Sequence, residues 1–367
     1  MKKRLSILSA FVVAAGFTGQ VNASFKDVTS YKEEISYLSD LKIINGYDNG
    51  MFKPRANVTR LQAVQMILRE MGVNDLSAPD PGFDDVKKGD YGYDEVAKAV
   101  QLGFISGKTD SKGNRIFDRH GSLTRAQMAK VLTEAYELEK EWRYVFRDVS
   151  KDHWAKDYVD TLASYAITTG YDDQSFKPNA SIQRQHFAVF MARLLNEEFI
   201  STTDQKNISY SPDPENQYIM RGVYDSPDYS DSIEDTLSFD KSVNSYWDQW
   251  LNSMDGSFEY PFHTGEDADG LYDGWLEDDF YNVNLVYPVE EGRRWAEYSD
   301  ETTDEMVITA TDETITTEAG TFEHVVVVED TVMNIFYYYA PNVGLILAEE
   351  EGEDYVSSYE LIEIVTP

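Results

Sequence analysis

Three arginines, Arg60, Arg125 and Arg184, carry the clearest chemical signal in this chain: each stands eight residues after a phenylalanine, Phe52, Phe117 or Phe176. Each also opens a run with helical apolar spacing. These runs are Leu61, Val64 and Leu68; Met128, Val131, Leu132 and Ala135; and Phe187, Phe190, Met191 and Leu194. Thr59-Arg60-Leu61-Gln62 and Thr124-Arg125-Ala126-Gln127 read as capping boxes, which puts the arginine at the first helical position. A cation there faces the positive end of the helix dipole and gains nothing from its own helix. Its return at a fixed interval points to a guanidinium held for an anion outside the helix, where a planar fork grips a carboxylate through two bonds. A solvated charge at a helix end is the ordinary alternative for any one of them.

The elements that position these arginines recur. Phe25-Lys26-Asp27-Val28, Phe83-Asp84-Asp85-Val86 and Phe146-Arg147-Asp148-Val149 open three copies of one unit, 58 and 63 residues apart. An amphipathic stretch follows in each: Ile35, Leu38 and Leu41; Val96, Val100 and Leu102; Val159, Leu162 and Ile167. Each stretch leads to a glycine, Gly46, Gly107 or Gly170, suited to a left-handed helix stop. None of the three units can bury its apolar face alone, so the pattern predicts one helical assembly.

These residues resemble the S-layer homology family. The resemblance spans residues 25 to about 195 and rests on the Phe-x-Asp-Val openings, His153-Trp154-Ala155, the run Gly170-Tyr171-Asp172-Asp173-Gln174-Ser175-Phe176-Lys177-Pro178 and the Thr-Arg helix starts. It implies a pseudo-threefold helical assembly with ligand grooves between copies. It also implies non-covalent attachment to a secondary cell-wall polymer bearing pyruvylated N-acetylmannosamine, whose ketal carries a carboxylate. By position, the implied contacts are Arg60, Arg125 and Arg184, Trp154 with its counterparts Tyr31 and Tyr91, and the glycines Gly46, Gly107 and Gly170. The acid that the family carries two residues after the arginine is replaced by Gln62, Gln127 and His186. Copy three, Ile182-Gln183-Arg184-Gln185-His186, lacks the threonine cap, and copy two has a four-residue loop insertion. The groove fed by Arg60 therefore keeps the pattern best. Core packing is the alternative role for Trp154, and backbone geometry for the glycines.

The second half differs in kind. Residues 201–367 hold 5 basic and 39 acidic residues, and so carry the whole formal charge of −34. From 201 to 282 the chain is rich in Tyr, Trp, Asp and Ser, with a helical period only over Val243–Met254. From 283 onward, alternation in Val283, Leu285 and Tyr287, Met306, Ile308 and Ala310, and Leu345 and Leu347 predicts an antiparallel sheet. The stretches Tyr287–Trp295, Ala319–Phe322 and Tyr338–Ile346 resemble a β module of secreted bacterial proteins and lipoproteins, which brings no activity with it. The Tyr and Trp cluster between Tyr246 and Tyr287 is expected as core rather than as a glycan platform. Asp267-Ala268-Asp269-Gly270-Leu271-Tyr272-Asp273-Gly274 with Glu277 and Asp278 hints at calcium but misses the EF-hand spacing, so a hydrated acidic loop is expected.

Composition excludes several classes. The acidic balance argues against nucleic acid and anionic lipid as partners. With no cysteine there is no disulfide framework, thiolate zinc site or cysteine nucleophile. No Gly-x-Ser-x-Gly, His-Glu-x-x-His or Walker loop is present, and no cofactor or metal is expected. Met1-Lys2-Lys3-Arg4, the apolar run Leu5–Phe17 and Val21-Asn22-Ala23 read as a secretory signal peptide cut after Ala23, with no membrane association afterwards.

The expected architecture is multidomain: a signal peptide (1–23), repeats at 24–76, 77–140 and 141–200, a mixed acidic aromatic segment (201–282) and an antiparallel β domain (283–367). The expected function is anchoring at the cell surface through the repeats. The alternative is a wall-anchored hydrolase that cuts glycan with carboxylates of the second half.

Overall fold

The computed structural model describes residues 25–200, 207–254, 256, 258–275, 280–297, 305–352 and 354–366. The expected signal peptide, Glu277 and Asp278 lie outside the described residues.

Each repeat contributes two helices: α1 (Lys32–Asp40) and α2 (Arg60–Glu70), α3 (Tyr93–Gln101) and α4 (Arg125–Ala135), α5 (Lys156–Ser164) and α6 (Arg184–Leu195). Their apolar positions are buried, as the spacing requires: Leu61, Val64 and Leu68 on α2, Met128, Val131 and Leu132 on α4, Phe187, Phe190 and Met191 on α6. Thr59 and Thr124 make both halves of the capping box with Gln62 and Gln127, whereas Gln183 caps nothing with its side chain. The inserted loop of repeat 2 is a small hairpin, β1 (Lys108–Thr109) with β2 (Arg115–Ile116).

The repeats close on one another. Helix α3 packs on α2, α5 on α4, and α1 on α6. At the centre, Val58 N–H donates to Ile182 O at 2.9 Å, Leu123 N–H to Val58 O at 2.9 Å, and Ile182 N–H to Leu123 O at 2.8 Å. All three side chains are fully buried. This cyclic set of bonds satisfies backbone groups that burial would otherwise leave without water.

The glycines have a different task from the one expected. Helices α1, α3 and α5 stop earlier, and the left-handed residues beyond them are Lys42, Gly103 and Ala166. Of the three predicted stop glycines only Gly170 has a left-handed φ, 73°. What they share is a ring laid across them. A Cβ on Gly46 would lie 2.2 Å from the Phe25 ring, on Gly107 2.1 Å from Phe83, and on Gly170 2.7 Å from Phe146. The opening phenylalanine of each repeat thus requires a missing side chain on the loop it covers. The aspartate two residues later pins the same loop. Asp27 accepts from Phe52 and Lys53 N–H, Asp85 from Phe117 and Asp118 N–H, and Asp148 from Phe176 and Lys177 N–H, all at 2.7–2.8 Å. Burial pushes the Asp27 carboxyl up, but the backbone N–H groups and Arg184 outweigh it and hold it below its ordinary value.

Among the described residues, the second half forms one antiparallel sheet of twelve strands. It comprises β3 (Gln217–Ser226), β4 (Tyr229–Ser242), β5 (Trp247–Met254), β6 (Phe258–Glu266), β7 (Gly270–Trp275), β8 (Phe280–Val286), β9 (Arg294–Trp295), β10 (Met306–Thr317), β11 (Gly320–Asp330), β12 (Ile335–Ala340), β13 (Gly344–Glu351) and β14 (Val356–Val365). Their order is β8-β7-β6-β5-β4-β3-β14-β13-β12-β11-β10-β9. The edges are brought together, since Val283 N–H donates to Glu297 O and the Trp295 indole to Val283 O. Trp250, Tyr218, Met220, Val325, Ile346 and Leu361 form one buried core cluster. Two expectations are corrected here. Val243–Met254 is a turn followed by strand β5, and the hydrogen-bonded sheet runs without a break across residue 282. The helical period was produced by Val243, Trp247, Leu251 and Met254, a spacing that a turn and a half-buried strand also permit.

Repeat 3 holds the sheet. Arg143 donates from its backbone at 2.7 Å and its Nε at 3.1 Å to Asn342 Oδ1, and also donates to Ser211 O. Arg147 pairs with Asp269 at 2.8 Å and Lys151 with Asp248 at 2.6 Å. Among the described residues no helix is long and apolar enough to cross a membrane. The crowding of carboxylates on the sheet domain has a testable consequence. Added salt screens their repulsion, so the domain's melting temperature is expected to rise between low and about molar ionic strength, where the Debye length falls to about 3 Å. Scanning calorimetry checks this; a flat or falling profile would count against it.

Candidate functional site

The three arginines sit where the repeats join. Arg60 donates through Nε to Phe117 O at 2.7 Å and through Nη2 to Ser106 O at 2.8 Å. Arg125 donates through Nε to Phe176 O at 2.6 Å. Arg184 donates through Nε to Phe52 O at 2.9 Å and through Nη2 to Asn45 O at 2.9 Å. Each guanidinium therefore reaches from one repeat to the phenylalanine loop of another, in the cyclic order 1 to 2, 2 to 3 and 3 to 1. They are only 4–6% exposed and lie over aromatic rings: Arg60 over Phe117, Arg125 over Phe176 and Tyr171, Arg184 over Phe52 and Tyr47. Burial pulls all three guanidinium pKa values down, against the opposite pull of nearby acidic groups such as Asp118 and Asp85 at Arg60. Their fixed spacing is explained by this joint: the fork satisfies loop carbonyls that the next repeat presents.

The predicted aromatics are exposed rather than packed inside. Tyr91 is 72% exposed, Trp154 56% and Tyr31 41%. Tyr91 and Trp154 each stand two residues before the first helix of their repeat, and Tyr31 one residue before. His153 stacks on the Trp154 ring at 5.8 Å.

Grooves run beside two of these aromatics, Tyr91 and Tyr31, while Trp154 borders neither of them. The first, about 310 Å³, lies at the junction of repeats 1 and 2 and unites three predicted residues, Gly46, Tyr91 and Arg184. The start of α2 forms one wall with Thr59, Gln62, Gln65 and Arg69, and Arg119 and His120 form the other. Gln65 Nε2 donates to Glu95 at 2.9 Å and to Tyr91 OH at 3.3 Å, and Arg119 Nη1 donates to the backbone carbonyl of Tyr91 at 3.1 Å, so the phenol and the backbone of this residue each have a partner. Three arginines, Arg69, Arg119 and Arg184, border this groove. The sequence pattern favours the groove fed by Arg60, yet the arginine that borders this one is Arg184. Arg60 reaches the Gly107 side of repeat 2 through Ser106 O.

The second groove, about 610 Å³, lies between repeats 3 and 1 and is bordered by Tyr31, Lys53, Arg55, Gln185 and His186. The His186 ring meets Tyr31 edge-on at 5.9 Å. Burial first, and then Arg125, pull the imidazole pKa below its ordinary value.

Arg119 and Arg69 escape a reading based on what the repeats share. The signal is a break in the pattern: Leu61 N–H donates to Arg119 O, where Ala126 and Gln185 N–H donate to Pro178 and Pro54 O. An arginine thus replaces the proline of the other two copies.

In the acidic half the aromatic cluster is core in part. Trp250 is fully buried and donates to Thr264 Oγ1 at 3.0 Å, while Trp247, Tyr272 and Tyr281 contact one another. In the acidic loop, Asp267 Oδ1 accepts from Asp269 N–H, Gly270 N–H and Tyr272 OH, and Asp273 accepts from Asn282 and Asn284. Among the described residues no group of three or more His, Asp or Glu is arranged to hold a metal ion.

A family profile described as the S-layer homology domain matches residues 24–64, 82–129 and 145–188. These three segments are S-layer homology domains. With them the chain is a secreted protein of the cell surface, in which helical S-layer homology domains precede a large antiparallel sheet. A 125 kDa surface-layer protein of Lysinibacillus sphaericus is 26% identical over 244 residues, which are 65% of this chain and 19% of that one. The cellulosome-anchoring protein of Acetivibrio thermocellus is 29% identical over 161 residues, 41% of this chain and 35% of that one. This chain thus spans about a fifth to a third of the length of these relatives. Among solved structures, an exported protein of Bacteroides fragilis with a YmcC-like fold aligns over 43% of this chain and 99% of its own, at 14% identity and a TM-score of 0.30.

Proposed function

We propose that this protein anchors itself non-covalently to a secondary cell-wall polymer bearing pyruvylated sugars and displays the sheet domain outward. In this reading the S-layer homology domains form a pseudo-threefold body, and the sugar lies in the grooves between them. The observation that carries it is the groove in which Arg184, Arg119 and Arg69 surround a site beside the exposed face of Tyr91. A pyranose ring stacks on the tyrosine while its ketal carboxylate meets guanidinium forks. Tyr31 plays the part of Tyr91 in the second groove, and Trp154 offers its exposed ring at the same place in repeat 3. Gly46, Gly107 and Gly170 act through the rings laid across them, which fix the course of the loops, and Gly46 brings its loop to the edge of the first groove. Arg60, Arg125 and Arg184 hold those loops and offer their remaining N–H groups. One groove binds weakly, so several engaged on one polymer supply the retention.

Co-sedimentation with purified cell walls tests this. Arg119→Ala and Tyr91→Ala are each expected to weaken binding about tenfold or more, as the loss of one charge-assisted bond or one stacking ring implies, with melting unchanged. Walls stripped of ketal pyruvate should not retain the protein. Undiminished retention of both variants, or of the wild type on stripped walls, would overturn the reading.

A further inference from the structure

The end of the sheet remote from the repeats carries a second feature of interest. Strand β3 starts beside the residues that touch repeat 3 and runs away from them for ten residues, about 30 Å. Register places a strip of side chains on one face along this path. Met220 pairs with Leu361 and Asp235, Gly222 with Tyr359 and Ile233, Tyr224 with Ser357 and Asp231, and Ser226 with Tyr229. The foot of the strip, with Met220 and Leu361, belongs to the buried core. Its outer end is open: Tyr224 is 40% exposed and Tyr229 57%.

Here the rings form a continuous row. Tyr355 stacks on Tyr224 with centroids 5.5 Å apart and planes at 25°, and Tyr229 lies 6.2 Å from Tyr224. Carboxylates fix the phenols at the ends. Tyr229 OH donates to Asp231 at 2.7 Å, and Tyr355 OH donates to Glu350. Deeper in, Tyr359 OH donates to Asp235 Oδ2 at 2.9 Å, while the other oxygen of this buried carboxylate has no partner. The Tyr359 ring and Ile233 flank Gly222, 3.4 and 3.2 Å from where its Cβ would be. No lysine or arginine occupies the strip; Arg221 points to the opposite face, paired with Glu234 and Glu318.

From this arrangement we infer that the outer end of the sheet binds a polysaccharide whose sugars carry free amino groups. Rings tethered by their hydroxyls lose little freedom when a pyranose stacks on them. The carboxylates at both ends of the row, and the unpartnered oxygen below it, attract ammonium groups, which also favour tyrosine faces. The domain's excess of 39 acidic over 5 basic residues concentrates a polycation and repels an acidic polymer. The site is thus opposite in sign to the grooves of the helical body, and it stands whether or not those grooves bind wall polymer.

Calorimetric titration of the whole protein with a glucosamine hexamer at low salt tests the inference. Binding is expected, weakened about tenfold by Tyr224→Ala and by Tyr229→Ala, and weakened by added salt as screening grows. Asp231→Asn should lower affinity for the amino hexamer while leaving the melting temperature in place. The N-acetylated hexamer should bind at least about fivefold more weakly, since it lacks the ammonium groups. Three results would overturn the inference: no binding at millimolar hexamer, equal or tighter binding of the N-acetylated sugar, or tyrosine variants that bind like the wild type. Retention on cell walls by the tyrosine variants reports separately on the grooves.

Discussion

Arg60→Ala is expected to destabilise the helical body by about 3 kcal/mol or more, because each lost bond to a charged donor costs about 1.5–3 kcal/mol and the buried acceptors stay behind. Arg60 bonds two loop carbonyls of the next repeat, Phe117 O and Ser106 O, from a site that is only 6% exposed. Removing the side chain leaves both oxygens with one partner fewer in a place water does not easily reach, and empties the space over the Phe117 ring. Melting should fall by about 6 °C or more for a body of this size, followed by helical circular dichroism at 222 nm. Arg60→Lys is not expected to restore it, since one ammonium cannot reach two carbonyls with the geometry of the fork. A loss below about 1 kcal/mol would show that the joint between repeats rests on apolar packing alone. Reduced wall retention in an arginine variant follows from a loosened body as readily as from a lost contact, which is why Arg119 and Tyr91 serve as the probes of the groove.

Trp250→Ala should act at the other end of the chain and cost the sheet domain about 3–5 kcal/mol, the range for removing a large buried aromatic. Its side chain is fully buried, packs edge-on against Tyr218 at 6.1 Å and Phe239 at 5.6 Å, and donates its indole hydrogen to Thr264. The change therefore leaves a cavity and an idle hydroxyl in the core that connects β3, β4, β5 and β6. Calorimetry should show the β transition moving down by many degrees while the helical signal at 222 nm keeps its midpoint. A common shift of both signals would instead mean that the contacts from repeat 3 make the two halves one cooperative unit.

Much of the helical half is written locally. Apolar spacing set the buried faces of α2, α4 and α6, and Thr59 and Thr124 marked where two of those helices begin. Residue type and interval also singled out Arg60, Arg125 and Arg184, but their partners could not be read, because they lie on loops 46–139 residues away and depend on which repeat packs against which. The glycines are a similar case. Their position was legible, whereas their reason is a phenylalanine ring from more than twenty residues earlier. In the acidic half, strands from 283 onward alternate plainly. Strand β4 does not: Asp231, Asp235 and Asp240 interrupt its apolar positions, and Asp235 is buried with Tyr359 as its partner. A carboxylate on an inward face is invisible to a pattern built on hydrophobicity.

The cyclic bonding of Val58, Leu123 and Ile182 has a consequence for how such anchors scale. An open stack of repeats keeps a bare end that another copy can extend, but here the last unit spends its free edge on the first, so three is a finished number. A fourth copy would find no edge to join. Under the proposed anchoring, greater holding power then has to come from crowding, with many whole molecules sharing one strand of polymer, rather than from a longer chain of the same units.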